Sequence, residues 1–397
     1  WWRDFLPLPL RQQNYNYSDY GMVKTYPRRI SCKKQRVKKT NPFVRMFRFA
    51  LASSLLCTFS YLIAPKLYCE YFEPLILNHA LNRNIKLDAK QYTSQYLNYL
   101  HNSELFGQNL IVPTNKHVKT IVPIITSGEL TLISKQINDL FAKYPNMHPS
   151  VYVWEYSSAK EVNVNADEKF SAASIIKLPV LFELFRKIDR CEADGTNTTV
   201  LSKKLLYDFK NKTAGSGELQ FGPLNKYFTV DYLAKVMITH SDNSATNMLI
   251  EEAGGMGAIN SSMRSLGLDK IELNNRLPDL EGTNKISAKQ IATLLYNLDN
   301  PNFLSDKSKI TIKEYMANVK NRSLLQAGLP SEAILIHKTG DIGQMLGDAG
   351  IVYAQNGRKY IVVVLVKRPH NDYTARDLIQ KTSKIIYDNI NSDSDLI

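Results

Sequence analysis

Apolar and polar residues repeat with two different periods over the C-terminal two thirds of the chain. Four segments carry apolar residues at helical spacing: residues 129–144, 174–188, 229–253 and 371–390. Four others have the short apolar or alternating pattern of strands: residues 150–156, 334–337, 350–353 and 360–366. Asn356 and Gly357 separate the last two strands, and this dipeptide predicts a tight hairpin turn between them.

The order of these elements indicates an α/β domain over residues 126–392. A helix and strands come first, a long helical region follows, and further strands and a closing helix end the segment. One sheet built from both ends of such a segment, with helices inserted between them, satisfies this order. We therefore predict one sheet whose strands come from both ends of the segment, with a helical region inserted between them.

Composition and charge narrow the class of protein. The 397 residues are 44% hydrophobic and 22% charged, which excludes a disulfide-stapled miniprotein, a collagen and a wholly disordered chain. Residues 1–48 hold twelve Lys/Arg and two Asp/Glu, so they carry +10 of the net charge of +13. Because the remainder carries only +3, the charge gives no reason to expect that the domain binds nucleic acid.

An uncharged apolar stretch follows the basic tail. Residues 49–64 would span about 24 Å as a helix, and their flanks extend it towards the bilayer thickness of about 30 Å. The basic tail predicts a cytoplasmic N-terminus and an extracytoplasmic remainder. We expect a disordered tail at 1–45, a single transmembrane signal-anchor at 46–67 and a stalk at 68–125, which together describe a single-pass protein of the cell membrane. A cleaved signal peptide is the alternative.

The sequence contains no recognisable metal-binding motif. The seven histidines form no HxH or HExxH, and the cysteines form no CxxC pair; they are Cys32, Cys57, Cys69 and Cys191. We therefore predict neither a metal nor an organic cofactor. Cys191 is expected to be a free, partly buried thiol. A disulfide between Cys191 and Cys69 is the alternative.

A serine and a lysine three residues apart can form the core of an acyl-transfer site. At a helix start this spacing places both side chains on one face, where a neutral lysine can take the serine proton. Three such pairs occur, beginning at Ser31, Ser157 and Ser174. Only Ser174, with Lys177, opens an apolar helix, so we assign the nucleophile to Ser174.

Two further motifs follow in order. Ser241-Asp242-Asn243 comes after a predicted helix and offers a hydroxyl and a side-chain amide, although alone it is a common helix cap. Lys338-Thr339-Gly340 is expected at the end of the strand 334–337. Its lysine and threonine can bind a substrate carboxylate, and its glycine lets a substrate lie close to the strand edge.

The ordered set SxxK, SDN and KTG resembles that of class A β-lactamase-like serine hydrolases. The resemblance covers about residues 126–390. It implies an α/β fold of the β-lactamase/transpeptidase-like kind, in which an antiparallel sheet is flanked by helices and an all-α region is inserted. It implies the catalytic set Ser174, Lys177, Ser241 and Lys338. It implies the substrate-binding set Asn243, Thr339, Gly340 and Asp341.

The resemblance also implies a role for each of these residues. Ser174 would be acylated, Lys177 would be its base or part of the proton relay, and Ser241 would pass a proton to the leaving nitrogen. Asn243 would hold the substrate amide. The backbone N–H groups of Ser174 and Asp341 would form the oxyanion hole.

One loop departs from the family pattern. Class A β-lactamases carry a glutamate in the pattern ExxLN, which activates the deacylating water. The corresponding loop here is RLPDLEGTN, residues 276–284; counting from Arg276 puts Pro278 at the glutamate position, and Glu281 is misplaced. This loop instead resembles class-A-type penicillin-binding D,D-peptidases of cyanobacteria. Asn247 matches the family's asparagine that secures the loop, although a helix-surface role stays open.

These observations predict a membrane-anchored serine acyl-transfer hydrolase. A penicillin-binding D-Ala-D-Ala peptidase that acts on peptidoglycan stem peptides, with β-lactams as mimics, is preferred. A class A β-lactamase with Asp279 or Glu281 as its base, and an idle homologue that binds the cell wall, are the alternatives. We expect His337 to be a packing residue at a strand end and Gly215-Ser216-Gly217 to be a turn over the cleft. Oligomeric state cannot be predicted.

Overall fold

The computed structural model describes residues 121–195 and 200–392. The predicted tail, the transmembrane segment and most of the stalk therefore lie outside the described residues, as does Cys69. Within the described ranges, no helix has the length and apolar character required to span a membrane.

In residues 121–195 and 200–392, ten strands form one large sheet and two small ribbons. They are β1 (Gly128–Glu129), β2 (His148–Glu155), β3 (Lys160–Val164), β4 (Phe170–Ser171), β5 (Lys204–Tyr207), β6 (Lys226–Thr229), β7 (Lys285–Ile286), β8 (Ile334–Ile342), β9 (Met345–Tyr353) and β10 (Lys359–Lys367). The large sheet has the order β1-β3-β2-β10-β9-β8, and the pairs β4–β7 and β5–β6 stand apart.

Eight α-helices are found in the described ranges. They are α1 (Thr131–Phe141), α2 (Lys177–Ala193), α3 (Val230–Thr239), α4 (Asn243–Glu252), α5 (Gly255–Ser265), α6 (Ala288–Tyr296), α7 (Asp306–Ala317) and α8 (Thr374–Asn391). The helices α2 to α7 form the inserted helical region, and α1 and α8 come from the two ends of the domain.

The large sheet confirms the predicted assembly from both ends of the domain. Strands β1 to β3 come from the first part, and β8 to β10 come from the last, with β10 antiparallel to both β2 and β9. The prediction of a purely antiparallel sheet was wrong at one edge, because β1 runs parallel to β3. This strand has only two residues, too few for an alternating pattern to be visible in the sequence.

The two faces of the sheet are buried in different ways. The front face carries Ile336, Ala349 and Ile361 into a large apolar cluster with the inserted helices. The rear face carries residues such as Leu335 and Val352 into a second cluster with α1 and α8. Because both faces are covered, neighbouring residues of one strand point into different buried layers.

Strand β8 is longer than its pattern predicts. It was expected to end at His337, but it continues through the Lys338 motif to Ile342, and each of its nine residues is paired with β9. The polar sequence of this second half hides the strand, which is maintained by backbone hydrogen bonds to β9. The motif therefore lies inside an edge strand.

The end of the predicted stalk contacts the domain. The Val122 N–H donates to Asn297 Oδ1 at 2.8 Å, and Asn297 Nδ2 donates to Val122 O at 2.9 Å. Trp154 Nε1 donates to Ile125 O at 3.1 Å. Residues 121–125 are thus fastened to the domain surface by side chains of the domain itself.

Candidate active site

Ser174 lies in the 3₁₀ turn Ala173–Ile176, which leads into α2. Ala173 has φ of 43°, a left-handed conformation that costs energy for a residue with a side chain. The strained turn places Ser174 half-buried at the helix start, where Lys177 Nζ donates to Ser174 Oγ at 3.0 Å. The SxxK spacing thus brings its two side chains into contact.

Lys177 is fully buried at the centre of the site. Its ammonium nitrogen also donates to Ser241 Oγ at 3.0 Å, to Ser241 O at 2.5 Å and to Asn243 Oδ1 at 2.9 Å. Burial holds the pKa of Lys177 well below its usual range, the nearby Lys338 lowers this pKa further, and Asp242 opposes both effects. A lysine of this kind can lose its proton and act as a base.

Lys338 approaches the same hydroxyl from the sheet. Its Nζ donates to Ser241 Oγ at 3.0 Å and to Thr339 O at 2.8 Å. Burial lowers the pKa of Lys338 to about 7, against the opposing effect of Asp348. Ser241 itself has a φ of 56°, so it is the second residue of the site, after Ala173, with a strained left-handed backbone.

The SDN motif is both a helix cap and part of the site. Asp242 is the N-cap of α4, and its carboxylate accepts hydrogen bonds from Ala245 N at 2.8 Å and Leu219 N at 2.9 Å. This cap orients Ser241 before the helix and Asn243 in its first turn. The common structural role of the tripeptide thus explains how its two outer side chains reach Lys177.

A glycine turn covers Asn243. Asn243 Nδ2 donates to Ala214 O at 3.1 Å, and its backbone N–H donates to Ser216 O at 3.0 Å. A Cβ on Gly215 would lie 2.6 Å from Asn243 Nδ2, so only glycine permits this approach. The turn predicted at residues 215–217 therefore packs directly on the site.

Strand β8 and the turn that carries Ser174 come close together at Gly340. A Cβ on Gly340 would lie 3.0 Å from Ile175 Cγ1, 3.2 Å from Ala173 Cβ and 3.2 Å from Ile175 N. Gly340 thus permits close packing of the strand on the helix start. This packing brings the strand residue Asp341 near the Ser174 turn, as an oxyanion hole built from both would require.

Asp341 forms an ion pair that sequence analysis missed. Arg368, which is buried just after β10, donates to the Asp341 carboxylate and to Gly343 O at 3.1 Å. Burial nevertheless raises the pKa of Asp341, while Arg368 acts in the opposite direction. No motif marks Arg368 in the sequence, because its contact with Asp341 depends on the β8–β9 turn.

Asn247 secures the loop below the site through Leu277. Asn247 Nδ2 donates to Leu277 O at 2.7 Å, and Leu277 N donates to Asn247 Oδ1 at 2.9 Å. Asn247 lies one helical turn after Asn243, on the same face of α4. The residue held below Asn243 is thus Leu277. It lies one position before Pro278, which counting along the sequence puts at the family's glutamate position. Leu277 is only 5% exposed.

The two acidic residues of this loop, Asp279 and Glu281, have different surroundings. The Asp279 carboxylate accepts hydrogen bonds from Thr283 N, Thr283 Oγ1 and Asn284 N at 2.7–3.0 Å, and it is buried. Glu281 is exposed. Asp279 therefore closes the loop on itself.

The other SxxK pair in the described ranges does not form a site. Ser157 Oγ donates to Glu155 Oε1 at 2.6 Å in a turn after β2. Cys191 is half-buried, as expected. No three His, Cys, Asp or Glu side chains of residues 121–195 and 200–392 lie close enough to hold a metal ion.

Comparison with known proteins agrees with this geometry. A sequence model described as the Beta-lactamase enzyme family matches residues 132–390. The chain belongs to this family. A β-lactamase of Streptomyces albus G is 29% identical over 241 residues, which cover 57% of this chain and 74% of that protein. Membership of the Beta-lactamase enzyme family makes the protein a serine hydrolase.

Solved structures extend the comparison. PBP-A is 35% identical with a TM-score of 0.63, over 68% of this chain and 99% of that one. A PBP-A leucine-to-glutamate mutant, solved as an acyl-enzyme complex with penicillin G, is 34% identical with a TM-score of 0.62 and the same coverage. An ancestral class A β-lactamase shares the fold, with 23% identity and a TM-score of 0.59 over 65% of this chain and 99% of that one.

Proposed function

We propose that this serine hydrolase is a penicillin-binding D-Ala-D-Ala peptidase of cell-wall peptidoglycan. One observation carries the proposal: the buried residue that Asn247 holds below the site is Leu277, which is apolar. A site equipped to acylate Ser174 but without an acid at this position favours slow release of the acyl group. Slow release from β-lactams is the behaviour of a penicillin-binding enzyme.

Acylation uses the groups that meet around Lys177. Neutral Lys177 accepts the Ser174 proton while Ser174 Oγ attacks the carbonyl of the penultimate D-alanine. The C–N bond breaks, and the leaving nitrogen takes a proton from Ser241, which regains one from Lys177. Both hydroxyls lie 3.0 Å from Lys177 Nζ, so the proton needs no intermediate carrier.

We assign substrate binding to strand β8, to the turn that carries Ser174 and to Asn243 at the start of α4. Charged Lys338, with Thr339, binds the terminal carboxylate that D-Ala-D-Ala peptides and penicillins share. The N–H groups of Ser174 and Asp341 stabilise the oxyanion. Asn243 holds the substrate amide.

Deacylation separates the two leading functions. It needs a water polarised by a base, and the loss of a placed base costs about 10²–10⁴ in rate, which is roughly 3–5 kcal/mol of barrier. The Asp279 carboxylate accepts hydrogen bonds from residues of its own loop, and Glu281 is exposed. The likeness to PBP-A supports the peptidase, and the curated β-lactamase relatives support the alternative of a β-lactamase.

The deciding experiment measures the lifetime of the penicilloyl-enzyme by intact mass. Benzylpenicillin should give a stoichiometric adduct that persists for seconds or longer, and an N-acylated Lys-D-Ala-D-Ala peptide should release D-alanine. Ser174→Ala should do neither. Fast steady-state penicillin hydrolysis would instead indicate a β-lactamase, and the absence of any adduct would indicate an idle homologue that binds the cell wall.

We also propose that residues 46–67 anchor the enzyme, with the domain on the extracytoplasmic side, where its substrate is found. The +10 charge of residues 1–48 supports this orientation. Protease added to spheroplasts should digest the domain and spare an N-terminal tag. A protected domain would contradict the orientation, and a mature chain that lacks the segment would indicate a cleaved signal peptide.

A further inference from the structure

A buried acid–histidine pair lies behind the site. Asp348 on β9 is fully buried, and its two carboxylate oxygens lie 2.9 and 3.0 Å from His337 Nδ1. The Leu325 N–H donates to the same carboxylate at 3.2 Å. The mechanism above uses neither His337 nor Asp348.

The pairing of the strands fixes where this pair lies. Asp348 lies two residues before Gly350 on β9, and Gly350 is opposite His337 on β8, so Asp348 and His337 share the rear face of the sheet. A Cβ on Gly350 would lie 2.7 Å from His337 Cβ, so the glycine makes room for the imidazole. The pair is therefore built into the sheet directly behind Lys338, which points to the front.

The front of the site has an excess of buried positive charge. Lys177 and Lys338 are fully buried and contact one hydroxyl, while Asp242 is the acid whose charge favours protonated Lys177. For Lys338 the charge that favours protonation is that of Asp348. Because both groups are buried, their interaction is weakly screened by solvent.

We propose that Asp348, oriented by His337, is the counter-charge that keeps Lys338 protonated for carboxylate binding. This inference rests on the role proposed above for Lys338. An ionised carboxylate can only accept hydrogen bonds, so the His337 nitrogen that faces it is the one that carries the proton. Asp348 and His337 are positioning residues, since they act through Lys338 and lie on the opposite face of the sheet from the substrate.

Other charged groups near Lys338 are already engaged. Helix α7 packs against β8, and its buried Lys309 and Lys313 form ion pairs with Asp306 and Asp299. Helix α8 covers the rear face, and Tyr387 is the titratable residue among those that it buries. The charged groups that interact with Lys338 are thus Lys177 in front and Asp348, paired with His337, behind.

The first test replaces the charge and keeps the shape. In Asp348→Asn, an NMR titration of ¹³C-labelled lysines, with Lys338→Arg used for assignment, should show the Lys338 midpoint lowered by about 1 unit or more. The alkaline limb of benzylpenicillin acylation should move by the same amount. Acylation by benzylpenicillin methyl ester, which has no carboxylate, should keep its pH profile. An unchanged Lys338 midpoint would overturn the proposal.

The second test separates charge from packing. His337→Asn keeps a donor for Asp348 and should preserve the Lys338 midpoint, whereas His337→Phe removes the donor and should lower it. The double variant His337→Asn/Asp348→Asn keeps a hydrogen bond between the two side chains but removes the charge. Its Lys338 midpoint should therefore equal that of Asp348→Asn, and it provides the test if a single variant folds poorly. Equal midpoints in all folded variants would reduce the pair to a packing role.

The NMR midpoint requires no substrate, so it is independent of the proposed function. If the wild-type protein forms no penicilloyl adduct while the Asp348→Asn midpoint falls, the peptidase proposal fails and the counter-charge stands. If the adduct forms and the midpoint does not move, the peptidase proposal survives and the counter-charge is wrong.

Discussion

Lys177 and Lys338 donate to one hydroxyl, since the Nζ atom of each lies 3.0 Å from Ser241 Oγ. Burial lowers the pKa of both lysines, and the nearby charge of Lys338 lowers the pKa of Lys177 further. The stronger effect is on Lys177. In the mechanism proposed above, Lys177 is neutral for proton transfer at a pH at which Lys338 is still charged for carboxylate binding.

This difference between the two lysines predicts a bell-shaped pH profile for acylation by benzylpenicillin. The rising limb reports loss of the Lys177 proton, at a pH well below the ordinary lysine range. The falling limb reports loss of the Lys338 proton, whose pKa is about 7. Lys338 is charged below that pH and neutral above it, so the second-order acylation rate should fall as the pH rises through about 7.

The methyl ester of benzylpenicillin provides the control for this profile. It presents the same β-lactam carbonyl to Ser174 but no carboxylate to Lys338. Its profile should keep the rising limb and lack the falling one. A falling limb shared by both compounds would assign it to another group.

Penicillin labelling should depend on one of the two serines that precede lysine by three residues in the described chain. Ser174→Ala should abolish labelling by a fluorescent penicillin because it removes the attacking oxygen. Ser157→Ala is a matched control, since Ser157 donates to Glu155 in a turn and should leave labelling intact. Labelling that survives Ser174→Ala would disprove the assignment.

Sequence spacing predicted which polar side chains meet around Lys177, because the parts of this cluster are local. SxxK at a helix start and an N-cap at SDN are short-range patterns, and each of them positions its own side chains. The long helices and the central strands were likewise visible as periodic apolar segments. The shorter strands, such as β4 and β7, have two residues each and are defined by pairing between distant segments, which no short pattern reveals.

Contacts between distant segments could not be predicted in this way. Leu277 is 30 residues from Asn247, and its place below the site depends on a loop whose course no periodicity specifies. Asp348 reaches the Lys338 strand through the register of the β8–β9 hairpin. Arg368 follows β10 and reaches Asp341 beside the β8–β9 turn, where it also contacts Gly343. The polar second half of β8 was hidden because pairing with β9, and not hydrophobic alternation, maintains it.

Removing the Asn247 side chain should destabilise the loop below the site. Asn247→Ala leaves the buried N–H and C=O of Leu277 without their partner, at a cost of about 1–3 kcal/mol for each such group. Urea unfolding should show this loss. The control is Asn274→Ala, because Asn274 is exposed, donates to Thr283 O at 2.9 Å and should cost within about 0.5 kcal/mol. Equal losses would contradict the buried role of Asn247.

A methyl group at Gly340 should separate the strand from the nucleophile turn. The added Cβ of Gly340→Ala would crowd Ile175 and Ala173 at 3.0–3.2 Å, an overpacking that costs about 1–3 kcal/mol. Acylation should fall by about tenfold if the displacement opens the oxyanion hole. Gly257→Ala, in the first turn of α5 with nothing within 4 Å of its added Cβ, should keep full acylation and unchanged or higher stability. A normal acylation rate in Gly340→Ala would show that the turn tolerates the shift.

The residue at position 277 should decide how long the acyl group stays on Ser174. Asn247 fixes the backbone of Leu277 one helical turn below Asn243, which itself contacts Lys177, so a carboxylate introduced there has a short path to the ester. Leu277→Glu should shorten the lifetime of the penicilloyl-enzyme, by up to about 10²-fold if the new group activates water. Leu277→Gln has the same shape without the charge and should not shorten it. In the unaltered loop, Glu281→Gln should leave the lifetime unchanged because Glu281 is exposed. A longer lifetime in Glu281→Gln would instead identify Glu281 as the base. The slow release would then result from the distance between that carboxylate and the ester, and not from the absence of a base.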